Sequence, residues 1–320
     1  MSPLFRHFAQ GLLMGSADII PGVSGGTMAL IVGIYKDLIA AIGDGASAVL
    51  TLLRGRFGEA LTLFRGLNWG LLLPLLGGIL TAIGIGTLFI PELLARYPVQ
   101  CRALFFGLVA ASLVIPWRER HAHRTVHYAV AAVAAVGAFF LVGLPRSGDL
   151  ADPSLVRVAL TAAVAINAMI LPGVSGAYLL EVLGLYSTTL QALRDLNVPY
   201  VLTFVTGAAV GLGLAAKGLS WLLDRHHDLT MTVLVGLLAG SLRALWPWVG
   251  RVEHVHSDGS VTFVPDPSAL LAPGPEWPVA LLLALGGFAF VTALAWLGRR
   301  RIATGDAVLA QEHGEMKARG

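Results

Sequence analysis

The chain has a single cysteine, Cys101, in 320 residues, which excludes any intramolecular disulfide. Charge is also scarce. Asp, Glu, Lys and Arg together make up 13% of the residues, about half the roughly 25% usual for a soluble domain. There is no dense basic run, and the formal net charge is only +3. That pattern offers no nucleic-acid surface, and no nucleic-acid partner is expected. Histidine is absent from the middle of every apolar segment: His7, His121, His123, His127, His226, His227, His254, His256 and His313 fall in loops or at segment edges. A serine nucleophile needs a neighbouring base, so serine hydrolysis lacks its second component. No His, Glu and Asp cluster with metal-ligand spacing stands out either, and neither a metal nor a cofactor is expected.

What fills the chain instead is apolar residues, at 56%, with a mean hydropathy of +0.76 and 38 glycines. Uninterrupted apolar windows reach the roughly 20 residues needed to cross the hydrocarbon. Glycine at this density allows helices to approach closely. The sequence therefore predicts an all-α polytopic membrane protein. Clear spans are expected at about 69–91, 101–117, 126–144, 200–223, 230–249 and 278–298, with two interrupted segments at about 5–42 and 155–193. Arg6 and His7 precede the first apolar stretch, but Asp18 and a Pro-Gly pair interrupt it, and Ala46-Ser47-Ala48 lies too far along for a usual cleavage site. The first segment is expected to stay in the protein.

The two interrupted segments carry the same phrase. At an offset of 151, Pro21, Gly22, Val23, Ser24, Gly25, Gly33 and Tyr35 coincide with Pro172, Gly173, Val174, Ser175, Gly176, Gly184 and Tyr186. The 107–113 stretch likewise parallels 236–242. Each half reads as a broken helical hairpin followed by three spans, with the first half at 1–145, the second at 146–300 and a cytoplasmic, disordered tail at 301–320. A hairpin crosses an even number of times, and three further spans make the total odd. The second half must then start on the opposite side, which predicts inverted repeats whose turns approach from opposite leaflets. Charge agrees with this. With the N-terminus inside, the inner segments hold Arg6, Lys36, Arg54, Arg56, Arg65, Arg118, Arg120, Arg124, Lys217, Arg225, Arg299, Arg300, Arg301, Lys317 and Arg319. The outer ones hold only Arg96, Arg102, Arg146, Arg157, Arg194, Arg243 and Arg251. The bias places both termini in the cytoplasm. Residues 43–68 mix polarity and suit an interfacial helix. Residues 250–277 form the longest outer loop, with Asp258-Gly259 as a hairpin signal.

A Pro-Gly-Val-Ser-Gly break cannot continue a helix, because proline removes a donor and glycine is too flexible. Irregular backbone at membrane depth survives only when it is buried in protein or lines a wet cavity. The residues that open the returning helices are Ser24, Gly25, Gly26 and Thr27 in one half and Ser175, Gly176, Ala177 and Tyr178 in the other. Their first amides have no internal acceptor, and the helix dipole adds positive character, so an anion fits there. The plainer reading is a structural turn capped by its serine; two copies in a repeat favour a binding site. Asp18 and Glu181 are carboxylates within the apolar segments, where charge is costly and usually functional. Either could accept a coupling proton or pair with an arginine, and Asp18 could equally cap its own hairpin. Arg102 and Arg243, near outer span ends, could complement a phosphate or snorkel to headgroups. Asn167 could serve the cavity or a helix–helix hydrogen bond.

The stretch from Gly15 through Asp18, Pro21-Gly22-Val23-Ser24-Gly25-Gly26-Thr27 and on to Tyr35 closely resembles the signature of the bacterial polyprenyl-phosphate translocases, and the likeness extends over most of 5–298. The resemblance implies a flippase that returns undecaprenyl phosphate, the lipid carrier of cell-wall precursors, from the outer to the cytoplasmic leaflet. Its expected partners are that lipid and the surrounding membrane lipids; homo-oligomerisation is left open by the sequence. Two alternatives remain at this stage. Undecaprenyl-pyrophosphate phosphatases have a similar inverted turn, but Gly25 stands where they carry arginine, and their paired glutamates are missing near either turn. Chloride-channel folds also use Gly-Ser-Gly helix ends, which leaves an inorganic-anion channel as the third reading.

Overall fold

The computed structural model describes residues 2–20, 23–122, 124–145, 150, 152–255 and 261–296. Helix dominates them. The first half contains α1 (Pro3–Asp18), α2 (Gly25–Ile31), α3 (Tyr35–Leu53), α4 (Phe57–Gly66), α5 (Trp69–Arg96), α6 (Pro98–Ser112), α7 (Val114–Arg118) and α8 (Thr125–Leu141). The second contains α9 (Leu155–Ile170), α10 (Gly176–Val182), α11 (Tyr186–Arg194), α12 (Val198–Arg225), α13 (His227–Ser241) with a 3₁₀ turn at Leu242–Leu245, and strands β1 (Val249–Val255) and β2 (Val261–Leu270). A last helix, α14, covers Trp277–Trp296. Among the described residues, five stretches are long and apolar enough to cross a membrane: α5, α6 with α7, α12, α13 with its turn, and α14. This is a multi-pass membrane protein.

The repeat in the sequence is also a repeat in element length. Helices α1 and α9 each have 16 residues, α2 and α10 each 7, α5 and α12 each 28, and α6 and α13 each 15. Packing follows the same correspondence, since α1 lies along α5 as α9 lies along α12. Small residues set these contacts. A side chain at Gly11 or Gly78 would overlap the backbone of Leu75 or Phe8, and one at Gly207 or Gly211 would overlap Ala159 or Ala163. Without a hydrophobic drive between helices in lipid, such close backbone approach supplies the packing energy. The halves are also interleaved. Helix α8 packs on α13 through Gly236 and Gly240, while Gly107 of α6 and Gly287 of α14 bring those two helices together. Between the halves lies a core that includes Ile39, Met231, Leu234, Leu238 and Leu245. The outer surface carries exposed Leu88, Val133, Leu214 and Leu282, an apolar belt suited to lipid.

Several sequence expectations need adjustment. Each interrupted segment has two breaks, where one was expected. After the Ser24 and Ser175 turns, the short helices α2 and α10 stop at Gly33 and Gly184, whose φ values of 76° and 72° only glycine adopts cheaply. The stretch 43–68 is not a single interfacial element: α3 runs on to Leu53, and only α4 is separate. The span expected at 126–144 is a 17-residue helix ending at Leu141. The loop expected at 250–277 adds a small antiparallel sheet to the helical fold, with Val252 opposite Val264 and Glu253 opposite Phe263. The Asp258-Gly259 turn, Pro21, Gly22, Arg146 and the tail from 301 lie outside the described residues.

Candidate functional site

The two motif turns meet. Ser24 caps α2, its hydroxyl oxygen accepting from the Gly26 amide at 3.1 Å while its proton goes to the Met169 carbonyl, also at 3.1 Å. Thr27 accepts from the Gly173 amide at 2.9 Å, and the Tyr35 hydroxyl donates to the Ile170 carbonyl at 3.1 Å. Gly26 sits so close that a side chain there would reach the Met169 and Ile170 carbonyls at 2.8 Å. The first turn is thereby stitched to the end of α9 in the other half. Its orphan amide at Gly25 donates to the Asp18 carboxylate at 2.7 Å, a charge-assisted bond that answers the positive end of α2 from within the chain.

The second turn is built differently. Gly173 holds φ at 91°, and Ser175 caps α10 by accepting from the Tyr178 amide at 3.4 Å. The Tyr178 hydroxyl donates to the Leu144 carbonyl at 2.6 Å. This turn opens onto a cavity of about 170 Å³, which also receives Asp18, Arg102, Glu181 and Tyr186. The apolar part of the wall comes from Ile19, Ile20, Val142 and Ala244, and Pro265 and Pro267 of β2 close one side. Arg102 is buried; its guanidinium donates to the Trp246 carbonyl at 2.9 Å and to the Ala244 carbonyl at 2.6 Å. A guanidinium, two carboxylates and three hydroxyl-bearing side chains therefore share a space of headgroup size between the halves.

Of the residues singled out from sequence, Asp18, Arg102, Ser175, Ala177, Tyr178 and Glu181 come together around the cavity. Ser24, Gly25, Gly26 and Thr27 stand outside its lining, buried in the contact between turns. Gly176 packs against the Ala165 carbonyl and the Met169 side chain. Asn167 is also away from the lining, with its buried side-chain carbonyl lacking a hydrogen-bond partner. Arg243 serves the β1–β2 hairpin, donating to the Pro267, Ser268 and Phe139 carbonyls at 2.9, 3.2 and 3.3 Å. Sequence reasoning passed over Tyr186 and the two prolines of β2. Tyr186 had a signal in its coincidence with Tyr35 in the repeat; the prolines had none, because only the folded hairpin brings them here.

Residues 14–262 match the family model described as undecaprenyl phosphate translocase-like. The chain is similar to a polyprenyl-phosphate transporter of Vibrio cholerae, at 35% identity over 296 residues, covering 90% of this chain and 94% of that one. It is also similar to a polyprenyl-phosphate transporter of Staphylococcus aureus, at 27% identity, covering 75% of this chain and 86% of the relative. No solved structure matches. With most of its length matched, including both motif turns, the chain belongs to the undecaprenyl phosphate translocase-like family.

Proposed function

We propose that this protein is a flippase that returns undecaprenyl phosphate from the outer to the cytoplasmic leaflet of the bacterial inner membrane, recycling the lipid carrier of peptidoglycan synthesis. The observation that carries the reading is the cavity between the halves: a 170 Å³ space, with Arg102, Ser175 and Tyr178 on its wall, sized for a phosphate headgroup but far too small for a polyprenyl tail. Only the headgroup needs a polar path, because the tail can remain in lipid throughout. The Arg102 guanidinium brings positive charge to a phosphate at this wall, and a capped helix end adds donors.

In this reading the 1–145 and 146–300 halves are inverted repeats that rock around the phosphate, with both termini cytoplasmic. The bonds from Ser24 to Met169 and from the Gly173 amide to Thr27 hold one end of the path shut. Rocking would break them and pass the phosphate from the 175–178 turn to the donors at 24–27. Asp18 and Glu181 supply negative charge that repels the phosphate unless a proton accompanies it. The relatives are named transporters, and the site is read as one that holds a phosphate ester without hydrolysing it.

The test is transport in proteoliposomes containing undecaprenyl phosphate, reading headgroup exposure on each leaflet with and without a proton gradient. Accelerated movement without release of inorganic phosphate, lost in the Ser24→Ala/Ser175→Ala double variant, supports the reading. Unaltered transport in that variant would remove the site. Release of phosphate from undecaprenyl pyrophosphate would turn the protein into an enzyme.

A further inference from the structure

We propose that His121, His227 and Asp228 form a binding site for a zinc-class transition-metal ion at the end of α13 remote from the cavity. Each residue offers one ligand atom, and the three atoms lie within 4.8 Å of one another. His121 belongs to the connection between α7 and α8, whereas His227 and Asp228 open α13, so the ligands come from both halves of the chain. Ala244 of the cavity wall follows His227 by 17 residues, which at about 1.5 Å each puts this cluster about 26 Å from that wall along the helix. It is therefore separate from the proposed transport site and does not depend on that reading.

Three features make the cluster more than adjacent polar residues. The first is spacing. His121 Nδ1 lies 3.2 Å from an Asp228 carboxylate oxygen. Two ligands at 2.0–2.1 Å from a tetrahedral zinc stand about 3.3 Å apart, so this pair has the separation of one tetrahedral edge; in the metal-free protein the same distance is a hydrogen bond donated by Nδ1, and an incoming ion would displace that proton to solvent. The second is orientation. The Asp228 carboxylate accepts from the His121 and Ala122 amides, both at 2.9 Å, which fixes its plane. The third is the tautomer of His227. Its Nε2 lies 3.1 Å from the Glu119 carbonyl. A carbonyl can only accept, so Nε2 is the donor here and Nδ1 is the nitrogen left to take a ligand. A histidine whose other nitrogen donates to a backbone carbonyl is the usual arrangement of a metal ligand. The two rings are 5.1 Å apart, centroid to centroid, and tilted, and His121 is exposed, so an ion has access from solvent. Glu119, next to the cluster, is engaged by Lys36 at 3.0 Å and is not counted as a ligand. Two imidazoles and one carboxylate select zinc, cobalt or nickel over calcium or magnesium, and three protein ligands leave a fourth position open.

The experiment uses the full chain, without a histidine tag, in detergent micelles. Zinc binding is measured by competition with a chromophoric chelator, and cobalt is then added as a spectroscopic substitute. The wild type should bind one equivalent of zinc and give the intense visible absorption of tetrahedral cobalt. His121→Gln and His227→Gln should each weaken zinc binding at least tenfold and lose the cobalt spectrum. His226→Gln, which alters a neighbouring histidine outside the cluster, should change neither. Thermal melting without metal controls for folding, and added zinc should raise the wild-type melting temperature but not that of the double variant. The proposal is overturned by a wild type that binds no stoichiometric zinc, by binding that survives in folded His121→Gln/His227→Gln, or by a cobalt spectrum of octahedral type.

Discussion

The hydroxyl oxygen of Thr27 accepts the backbone N–H of Gly173 at 2.9 Å, joining the first motif turn to the second across 146 residues of sequence. Thr27 is almost wholly buried, so no water can replace this bond. Replacing Thr27 with valine keeps the shape and strands the Gly173 amide. An unsatisfied buried donor costs about 1–3 kcal/mol. Thr27→Val should therefore lower the melting temperature in detergent, while Thr27→Ser should stay near wild type; equal melting of the two variants would count against the bond.

Arg102 anchors the 244–246 turn and reaches the cavity with the same guanidinium. Lysine offers a point charge but not the planar fork. Arg102→Lys is expected to reduce undecaprenyl phosphate transport at least tenfold while the protein remains folded. Size-exclusion chromatography and proteoliposome transport, run on the same preparation, test this.

Asp18 accepts the Gly25 amide and lines the cavity. Asparagine keeps an acceptor for that amide and removes the charge. Since like charge repels a phosphate, Asp18→Asn should bind undecaprenyl phosphate several-fold more tightly than wild type. Asp18→Ala should instead destabilise the turn. Equilibrium binding and melting of both variants separate the two roles; weaker binding by Asp18→Asn would show that the carboxylate does not oppose the substrate.

Gly107 packs so closely on Ala284 that a methyl group would overlap its carbonyl, whereas Gly137 has open space at the corresponding point. Overpacking costs about 1–3 kcal/mol. Gly107→Ala should melt clearly below wild type, and Gly137→Ala should not. Indistinguishable melting curves would mean that α6 and α14 are not held by this contact.

Arg243 donates to three carbonyls, two of them on β2. Arg243→Gln should loosen the hairpin and speed amide hydrogen exchange in Val261–Leu270 several-fold. Exchange in α5 serves as the internal reference and should not change.

Much of this protein was legible without coordinates, for identifiable reasons. Apolar runs with few charges leave the membrane as the only solvent for them, and helices are the natural way to satisfy backbone groups there. The Pro-Gly-Val-Ser-Gly breaks at 21–25 and 172–176 were readable because proline and glycine act locally. The second breaks at Gly33 and Gly184 were marked by coinciding glycines but not recognised, since a lone glycine in an apolar run is ambiguous until its φ is seen. The hairpin signal at 252–264 likewise came from turn chemistry; the flanking strands do pair antiparallel, but with Val255 opposite Val261, one residue off the register of a two-residue Asp258-Gly259 loop, and the turn itself lies outside the described residues.

Sequence by itself determined where the chain is apolar, where it breaks, and that its two halves repeat, because each of these depends on residues close together in the chain. Only the tertiary structure decided how the halves share their polar groups. It turned Ser24 and Thr27 inward onto Met169 and Gly173, gave the cavity to Ser175, Tyr178 and Arg102, and brought His121 to His227 and Asp228. Each of those partnerships joins residues more than 70 positions apart or on different elements. Their geometry follows from the close approach of helices across glycine contacts, and no local spacing encodes it.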